Sequence, residues 1–386
     1  MNDGTAPAGS PAADPDLLYS EEEDALRAAV RSLFADRSAP ATVLAGLESA
    51  VAHDTGLWRA LATDIGAAGL LVPEKLGGAG ASAREAAVVL EEAGRCVAPV
   101  PYLTSAVIAV TALLGCDRDR EEVAAPLAAL AGGRHVGVLA VPWPTAPGGA
   151  AEPAVRAAAD GTLTGRVTSV ADAAGAALLL VPAQGPDGPA LYAVEAAADG
   201  VRTGSVTPLD LTRPLGHLTF DGARGTLLAS GERARAAVDG ALLAGAGLLA
   251  SEQLGVAEWC LAETVRYTAE RTQFGRPVGS FQALKHRMAA LWLEVASARA
   301  AARNAADALA TGSPDAPVAV AVAQAYCAPV AVRAAQECVQ LHGGIGMTWE
   351  HPAHLFLKRA KSDELALGSP GRHRAALAGL VALDAP

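Results

Sequence analysis

Apolar residues recur every three or four positions through most of the second half of the chain. Leu254, Ala257, Leu261 and Val265 form one such row, and Leu284, Met288, Leu291, Val295 and Ala298 form another. This is the spacing of helices that each bury one face. The pattern predicts four long helices over about 233–271, 281–312, 317–341 and 352–366, joined by short breaks and so packed as an antiparallel bundle. Nearer the start the same period gives three shorter helices. They run from Glu21 to Phe34, opened by Ser20 with Glu23 in capping-box position, from Thr55 to Ile65, and from Ala83 to Gly94. Between the two helical regions the period changes. Val136–Val141, Thr162–Val170, Ala177–Val181, Leu191–Val194 and Leu218–Phe220 are short β-type runs separated by Pro, Gly and Asp clusters. The expected fold is α+β and multi-domain. A disordered tail at 1–15 leads into an N-terminal helical domain at 16–126. A middle β-barrel or β-sandwich domain at 127–231 and a C-terminal four-helix bundle at 232–386 follow.

Composition narrows the choice of partners. The chain has 386 residues, with 30 Lys and Arg against 41 Asp and Glu and a net charge of −11. Without a basic block, nucleic acid and anionic membrane surfaces are excluded as main partners. Cys96, Cys116, Cys260, Cys327 and Cys338 show neither metal nor disulfide-framework spacing and read as free thiols of a reducing compartment. The first fifteen residues lack the basic-then-apolar order of a signal peptide, so a cytoplasmic location is expected. Val318–Val332 is apolar enough to raise a membrane question, but Gln324 and Pro329 interrupt it and it is short of a span. Alanine rows on two bundle helices (Ala298, Ala301, Ala305, Ala308; Ala321, Ala325, Ala328, Ala331, Ala335) permit close approach, either within the bundle or across a subunit contact.

Two stretches carry the candidate chemistry. In Glu270–Gln282 (Glu-Arg-Thr-Gln-Phe-Gly-Arg-Pro-Val-Gly-Ser-Phe-Gln), Gly275, Pro277 and Gly279 stop one helix and turn the chain. Arg271 then stands at a helix end, where its guanidinium can satisfy terminal carbonyls or fork onto a phosphate or carboxylate. In Gln340–Gly346 (Gln-Leu-His-Gly-Gly-Ile-Gly) a helix ends in glycines that let a ligand approach the backbone closely. The glycines at 77–80, with no Gly-Lys-Ser/Thr and no strand feeding them, form a plain turn.

Arg-x-x-Phe-Gly followed by Phe-Gln, together with Gln-x-x-Gly-Gly-x-Gly, resembles the acyl-CoA dehydrogenase family, flavoproteins that desaturate acyl-CoA thioesters. Leu57–Leu61, Gly69–Glu74, Gly77–Gly80 and Leu90–Gly94 look like the helical N-terminal domain of the same family. The resemblance runs from about Ser20 to Arg374. It implies FAD as cofactor and gives Arg271, Phe274, Gln282, Gln340, Gly343 and Gly344 as residues that reach the flavin of a neighbouring subunit.

The resemblance also implies features that this chain does not carry. Leu139–Gly149 contains no Thr-Glu-Pro or Gly-Ser-Asp, and the family's Trp-Ile-Thr falls on Ser169-Val170-Ala171. The family's catalytic Glu falls on Leu367, its alternative position on Gly245, and the neighbouring CoA-binding Arg on Ala246. Asp363 and Glu364 are left as a replacement base or as a solvated acidic face. Contacts to a neighbour's flavin are thus present and contacts to the chain's own are absent. This pattern is similar to the non-catalytic subunit of actinobacterial hetero-oligomeric acyl-CoA dehydrogenases, a hetero-tetramer in which a homologous partner binds most of the acyl-CoA. The alternatives are a self-sufficient flavoenzyme (an oxidase, a monooxygenase or a dehydrogenase with an atypical base) and a catalytically silent interaction protein.

Overall fold

The computed structural model describes residues 15–47, 53–149 and 153–383. The expected tail, apart from Pro15, lies outside the described residues. Helix α1 (Glu21–Arg37) starts at the predicted capping box: the Ser20 hydroxyl accepts the Glu23 N–H, and the Glu23 carboxylate accepts the Ser20 N–H. Glu23 also has a second role. It is buried, and Arg303 at 2.7 Å and Arg84 at 2.9 Å neutralise it, which ties the first helix to the distant bundle. Next come α2 (Pro40–Gly46), α3 (Thr55–Arg59) widening into a π-helical turn at Ala60–Asp64, and α4 (Ala83–Cys96). A π-helical stretch at Tyr102–Ala109 runs on into α5 (Val110–Leu114), and α6 (Glu121–Ala131) follows. Helix α6 passes through Pro126, where the sequence places a change of character.

The middle region is one connected sheet of eight strands. They are β1 (Gly137–Leu139), β2 (Val155–Ala157), β3 (Thr162–Ala171), β4 (Leu178–Gly185), β5 (Gly188–Glu195), β6 (Val201–Val206), β7 (Leu215–Arg224) and β8 (Thr226–Ser230). The order is β6-β7-β3-β2-β4-β5-β8, with β1 parallel to β4, and the end strands β6 and β8 do not pair with each other. Alternation along β4 divides two cores. Leu179 and Val181 join Val138, Val167, Leu218 and Phe220 in a core within the sheet, whereas Leu180 joins Leu139 and Leu191 on the side of the helices. The five predicted runs coincide with β1, β3, β4, β5 and β7.

The rest is helical: α7 (Gly231–Glu270), a hairpin of β9 (Thr272–Gln273) and β10 (Arg276–Pro277), α8 (Gln282–Ala310), α9 (Ala316–Leu341), α10 (Ala353–Leu365) and a further α11 (Pro370–Leu380). The four long helices lie within two residues of the expected ends. Helices α7 and α9 are long and apolar enough to cross a membrane, but most of each is buried as core of this fold. Ala298, Ala305, Ala308, Ala321, Ala328, Ala331 and Ala335 are buried in the chain, so the alanine rows serve the bundle's own packing. All five cysteines are free thiols.

Helices α4 and α7 meet backbone to backbone. A Cβ added at Gly94 would lie 2.1 Å from the Glu252 carbonyl oxygen, and one at Gly255 would lie 1.9 Å from that of Glu91. No side chain fits this crossing, which seats the N-terminal helices on the bundle. Gly255→Ala is therefore expected to destabilise the chain by about 2 kcal/mol or more through overpacking. Gly240→Ala in the same helix, with nothing within 4 Å of the new methyl, should stabilise it by about 0.5–1 kcal/mol. Paired denaturant melts test this; equal effects at the two glycines would show that the crossing is not tight.

Candidate functional site

The two positions to which the family resemblance assigns a catalytic carboxylate, 367 and 245, come together. A Cβ at Gly245 on α7 would lie 3.1 Å from Leu367 Cδ1 and 2.7 Å from Ile108 Cγ1. Neither position carries a carboxylate: 367 is a buried leucine and 245 is a glycine. The space in front of them is filled by Trp143, Leu367, Ile108, Leu242 and Ala171, which leave a cavity of about 20 Å³. That is room for about one water molecule, whereas ligand pockets run to about 300–1,000 Å³. The family's aromatic position is indeed empty at Ser169, yet an aromatic ring arrives from elsewhere. Trp143 donates its backbone N–H to the Ser169 carbonyl at 2.9 Å, and its own carbonyl accepts the Leu367 N–H at 2.8 Å. Leu367 has φ +50°, and its carbonyl accepts a 3.0 Å hydrogen bond from His373 Nε2. A wider cavity of about 670 Å³ opens between α7, α9 and α11, walled by Leu243, Val320 and Ala321, with Asp239 and Arg372 as its charges.

The two acidic residues part company: Glu364 lies on the solvated face, and neither reading holds for Asp363. Glu364 pairs with Lys361 on the helix surface. Asp363 is neither solvated nor turned toward Leu367; it is fully buried and accepts from Arg213 at 2.6 Å. It belongs to a sealed network. Arg213 also bonds both oxygens of Glu252 at 2.8 Å, and Arg359 reaches Asp210 at 2.5 Å, Glu252 and the Thr212 hydroxyl. Two guanidiniums thus face three carboxylates, one more than they can neutralise. Burial, reinforced by the charge of Glu252, pushes the Asp363 carboxyl up to about 8, while the two arginines hold Glu252 below its usual range. Asp363 Oδ1 accepts from Arg213, whereas its Oδ2 has no hydrogen-bond partner among the described residues. The partners come from a loop some 150 positions upstream, so nothing local in the sequence announces this network.

The candidate flavin contacts lie at the other end of the bundle. Arg271 is exposed just past α7, and its N–H bonds the Tyr267 carbonyl. Phe274 and Gly275 form the two-residue loop of the β9–β10 hairpin with φ +55° and +76°, the pair of positive values that a type I′ turn demands. Such values suit glycine or asparagine, yet Phe274 is 90 % exposed there. Gln282 begins α8 and Gln340 ends α9, both exposed, and Gly343 and Gly344 have open space where a Cβ would stand. The Tyr267 and His342 rings stack at 4.3 Å, and Arg287 pairs with Glu337 at 2.7 Å, so the hairpin and the glycine turn occupy one end of the bundle. Exposed Ile345, Met347 and Trp349 continue beyond the turn.

Residues 20–131 match the model of the acyl-CoA dehydrogenase N-terminal domain, and residues 235–380 match that of the C-terminal domain. Acyl-CoA dehydrogenase IpdE2 of Mycolicibacterium smegmatis is 37% identical over 353 residues, covering 91% of this chain and 96% of that protein. The chain belongs to the acyl-CoA dehydrogenase family. A variant of the Tcur3481–Tcur3483 steroid ACAD superimposes with a TM-score of 0.83 at 32% identity, over 94% of this chain and 98% of that one. The ChsE4–ChsE5 complex of Mycobacterium tuberculosis does so with 0.83 at 28% identity, over 96% and 100%. Members of the family are FAD-binding oxidoreductases acting on CH–CH bonds. The inner pocket of this chain does not fit an isoalloxazine ring: Trp143 and Leu367 occupy the space, and no carboxylate faces it.

The charge count in the buried network gives a test. Folded Asp363 keeps its proton up to about pH 8, whereas an unfolded Asp releases it near ~3.9. Between these values the folded state binds more protons, so its stability falls as pH rises and the contribution is lost above the folded value. Asp363→Asn should therefore lie within about 1 kcal/mol of the parent at neutral pH and remove this decline, while Glu252→Gln, which removes the one carboxylate bonded to both guanidiniums, should cost about 3–5 kcal/mol. Urea melts of the three proteins at about pH 6 and about pH 9 decide; equal losses in the two variants would refute the assignment of the surplus proton.

Proposed function

We propose that this chain is the non-catalytic subunit of a hetero-oligomeric, cytoplasmic acyl-CoA dehydrogenase, and that it completes the FAD site of a homologous partner. The observation that carries this reading is the asymmetry between the two ends of the fold. The inner pocket is packed shut around Leu367 and Gly245, while Arg271, Phe274, Gln282, Gln340, Gly343 and Gly344 stand exposed. Bound in the partner's site, FAD would supply the hydride acceptor for α,β-dehydrogenation, and this chain would position and shield it. Arg271 would hold the pyrophosphate, the Gly343–Gly344 backbone would admit the adenine end, and Phe274 would shield the bound group from solvent. The strain and exposure of Phe274 fit a side chain held ready for another surface. The partnered ChsE4–ChsE5 and Tcur3481–Tcur3483 proteins support a partner related to this chain. Since one of these pairs is a steroid ACAD, thioesters of steroid-derived acids are the first substrates to try.

The chain purified alone should be colourless, and co-purified with its partner it should carry fewer flavins than subunits. In that complex Arg271→Ala should weaken FAD retention roughly tenfold to a hundredfold, the loss of one charge-assisted contact worth about 1.5–3 kcal/mol. Visible spectra before and after dialysis report both. A yellow homotetramer of this chain with one FAD per subunit would sink the proposal in favour of the self-sufficient flavoenzyme.

A further inference from the structure

Behind the Gly343–Gly344 turn, Glu263 of α7, His342 at the end of α9 and His351 just before α10 bring three side chains together. Both histidine Nε2 atoms lie 3.8 Å from Glu263 Oε1, and all three ligand atoms fall within 4.8 Å of one another. We propose that this cluster binds a borderline divalent cation of the Zn²⁺ class.

The tautomer of His342 is set for it. Its Nδ1 lies 2.6 Å from the Cys338 carbonyl oxygen and therefore carries the proton and donates. Nε2 is then the one ring nitrogen left to face a metal, with the carbonyl as orienting partner. Burial disfavours the charged ring, but Cys338 and Glu263 outweigh it and hold the ring above its ordinary value, so a cation binding there displaces a proton. The His342 side chain is 0 % exposed, and Nε2 has no hydrogen-bond partner among the described residues. A buried ring nitrogen without a hydrogen-bond partner is costly, and a cation at the centre of the cluster gives it one.

The ligand types choose the ion. Two imidazoles and one carboxylate suit Zn²⁺ and its neighbours, while Mg²⁺ and Ca²⁺ take oxygen shells. With bonds of about 2.0–2.2 Å, each ligand has to move inward by under about 1 Å. The Tyr267 ring stacks on His342 at 4.3 Å and the His351 ring lies tilted against it, also at 4.3 Å, which limits other movement. His351 is 12 % exposed, so water reaches the remaining coordination position from its side.

Two present contacts adjust on binding. Arg266 bonds Glu263 through both oxygens and Glu270 at 2.7 Å. When the cation takes Oε1, the Arg266 Nε contact to Oε2 at 2.9 Å and the Glu270 pair remain. His351 Nδ1 accepts the Ala353 N–H at 3.2 Å. Ligation through Nε2 moves the imidazole proton to Nδ1 and gives up that one long hydrogen bond. The inference uses residues of this chain alone and is independent of the partner-subunit reading.

The full chain, stripped with chelator and dialysed, is titrated with Zn²⁺ by calorimetry and with Co²⁺ as a spectroscopic probe. One equivalent of Zn²⁺ should bind with a dissociation constant on the order of micromolar or below, and Co²⁺ should show the absorption of a low-coordinate nitrogen–oxygen site. His351→Asn and Glu263→Gln, each at the edge of the cluster and checked for unchanged circular dichroism, should weaken Zn²⁺ binding at least about tenfold. The absence of saturable Zn²⁺ binding would overturn the proposal, as would a loss smaller than that in both variants.

Discussion

The sealed network of Arg213, Arg359, Glu252, Asp210 and Asp363 holds the sheet and the bundle at one fixed distance. Asp210, Thr212 and Arg213 lie in the loop between β6 and β7, Glu252 lies in the middle of α7, and Arg359 and Asp363 stand one turn apart on α10. Every group is buried, and buried charges cost several kcal/mol each unless they are paired and hydrogen-bonded. The loop therefore has one acceptable seat between the two helices. Gln253 extends the arrangement to Gln324, which donates to the Ala246 carbonyl at 2.6 Å. Trp143 lies 5.2 Å from the Arg213 guanidinium, and Leu367 follows just past the end of α10, the helix that carries Asp363. What fixes the sheet on the bundle thus also fixes the two side chains that shut the inner pocket.

Two residues outside glycine positions carry left-handed backbone that matters here, and they differ in how that strain is offset. Leu367 at φ +50° is held by its N–H on the Trp143 carbonyl, by His373 Nε2 donating to its own carbonyl, and by burial of its whole side chain, which contributes about 1.5–3 kcal/mol. Its conformation is over-determined by the chain itself. Phe274 at φ +55° has an edge contact with Phe281 at 6.1 Å and otherwise meets solvent. Strained conformations of this kind cost about 1–3 kcal/mol and persist where they serve a site. The inward one has its compensation inside the fold. The outward one has little, which favours a compensating surface beyond this chain.

What the sequence made legible follows from the physics of each element. The four long helices and the Ser20–Glu23 cap were readable because a 3.6-residue period over many turns admits one interpretation. Strands β2, β6 and β8 escaped because β2 has three residues, β6 (Val-Arg-Thr-Gly-Ser-Val) is largely exposed, and β8 runs almost without a break from β7. The β9–β10 hairpin was invisible because its turn places phenylalanine where glycine or asparagine is the usual signal. Leu367 and Gly245 were counted along separate helices, and the fold sets them against each other. Asp363, by contrast, was misread. In Lys-Ser-Asp-Glu-Leu it has the look of a solvated helix end, and its partner Arg213 is reached only through the tertiary fold.

A subunit without its own flavin faces a stability problem that its pocket residues address. A ligand that binds the folded state stabilises it by RT ln(1 + [L]/Kd), several kcal/mol for a tightly held cofactor, and a family member with an open flavin pocket draws on that term. A chain with the pocket left open and unfilled would lose it and retain a cavity as well, at a further cost that grows with the volume left behind. Filling the space with Trp143 and Leu367 replaces the ligand term by side-chain burial of about 1.5–3 kcal/mol for each group, present without cofactor. The same substitution removes the carboxylate. On the partner-subunit reading, loss of the base and closure of the pocket are therefore one change: once the flavin is held elsewhere, a glutamate here would be a buried charge without a task, and a leucine is what the surrounding apolar wall accommodates.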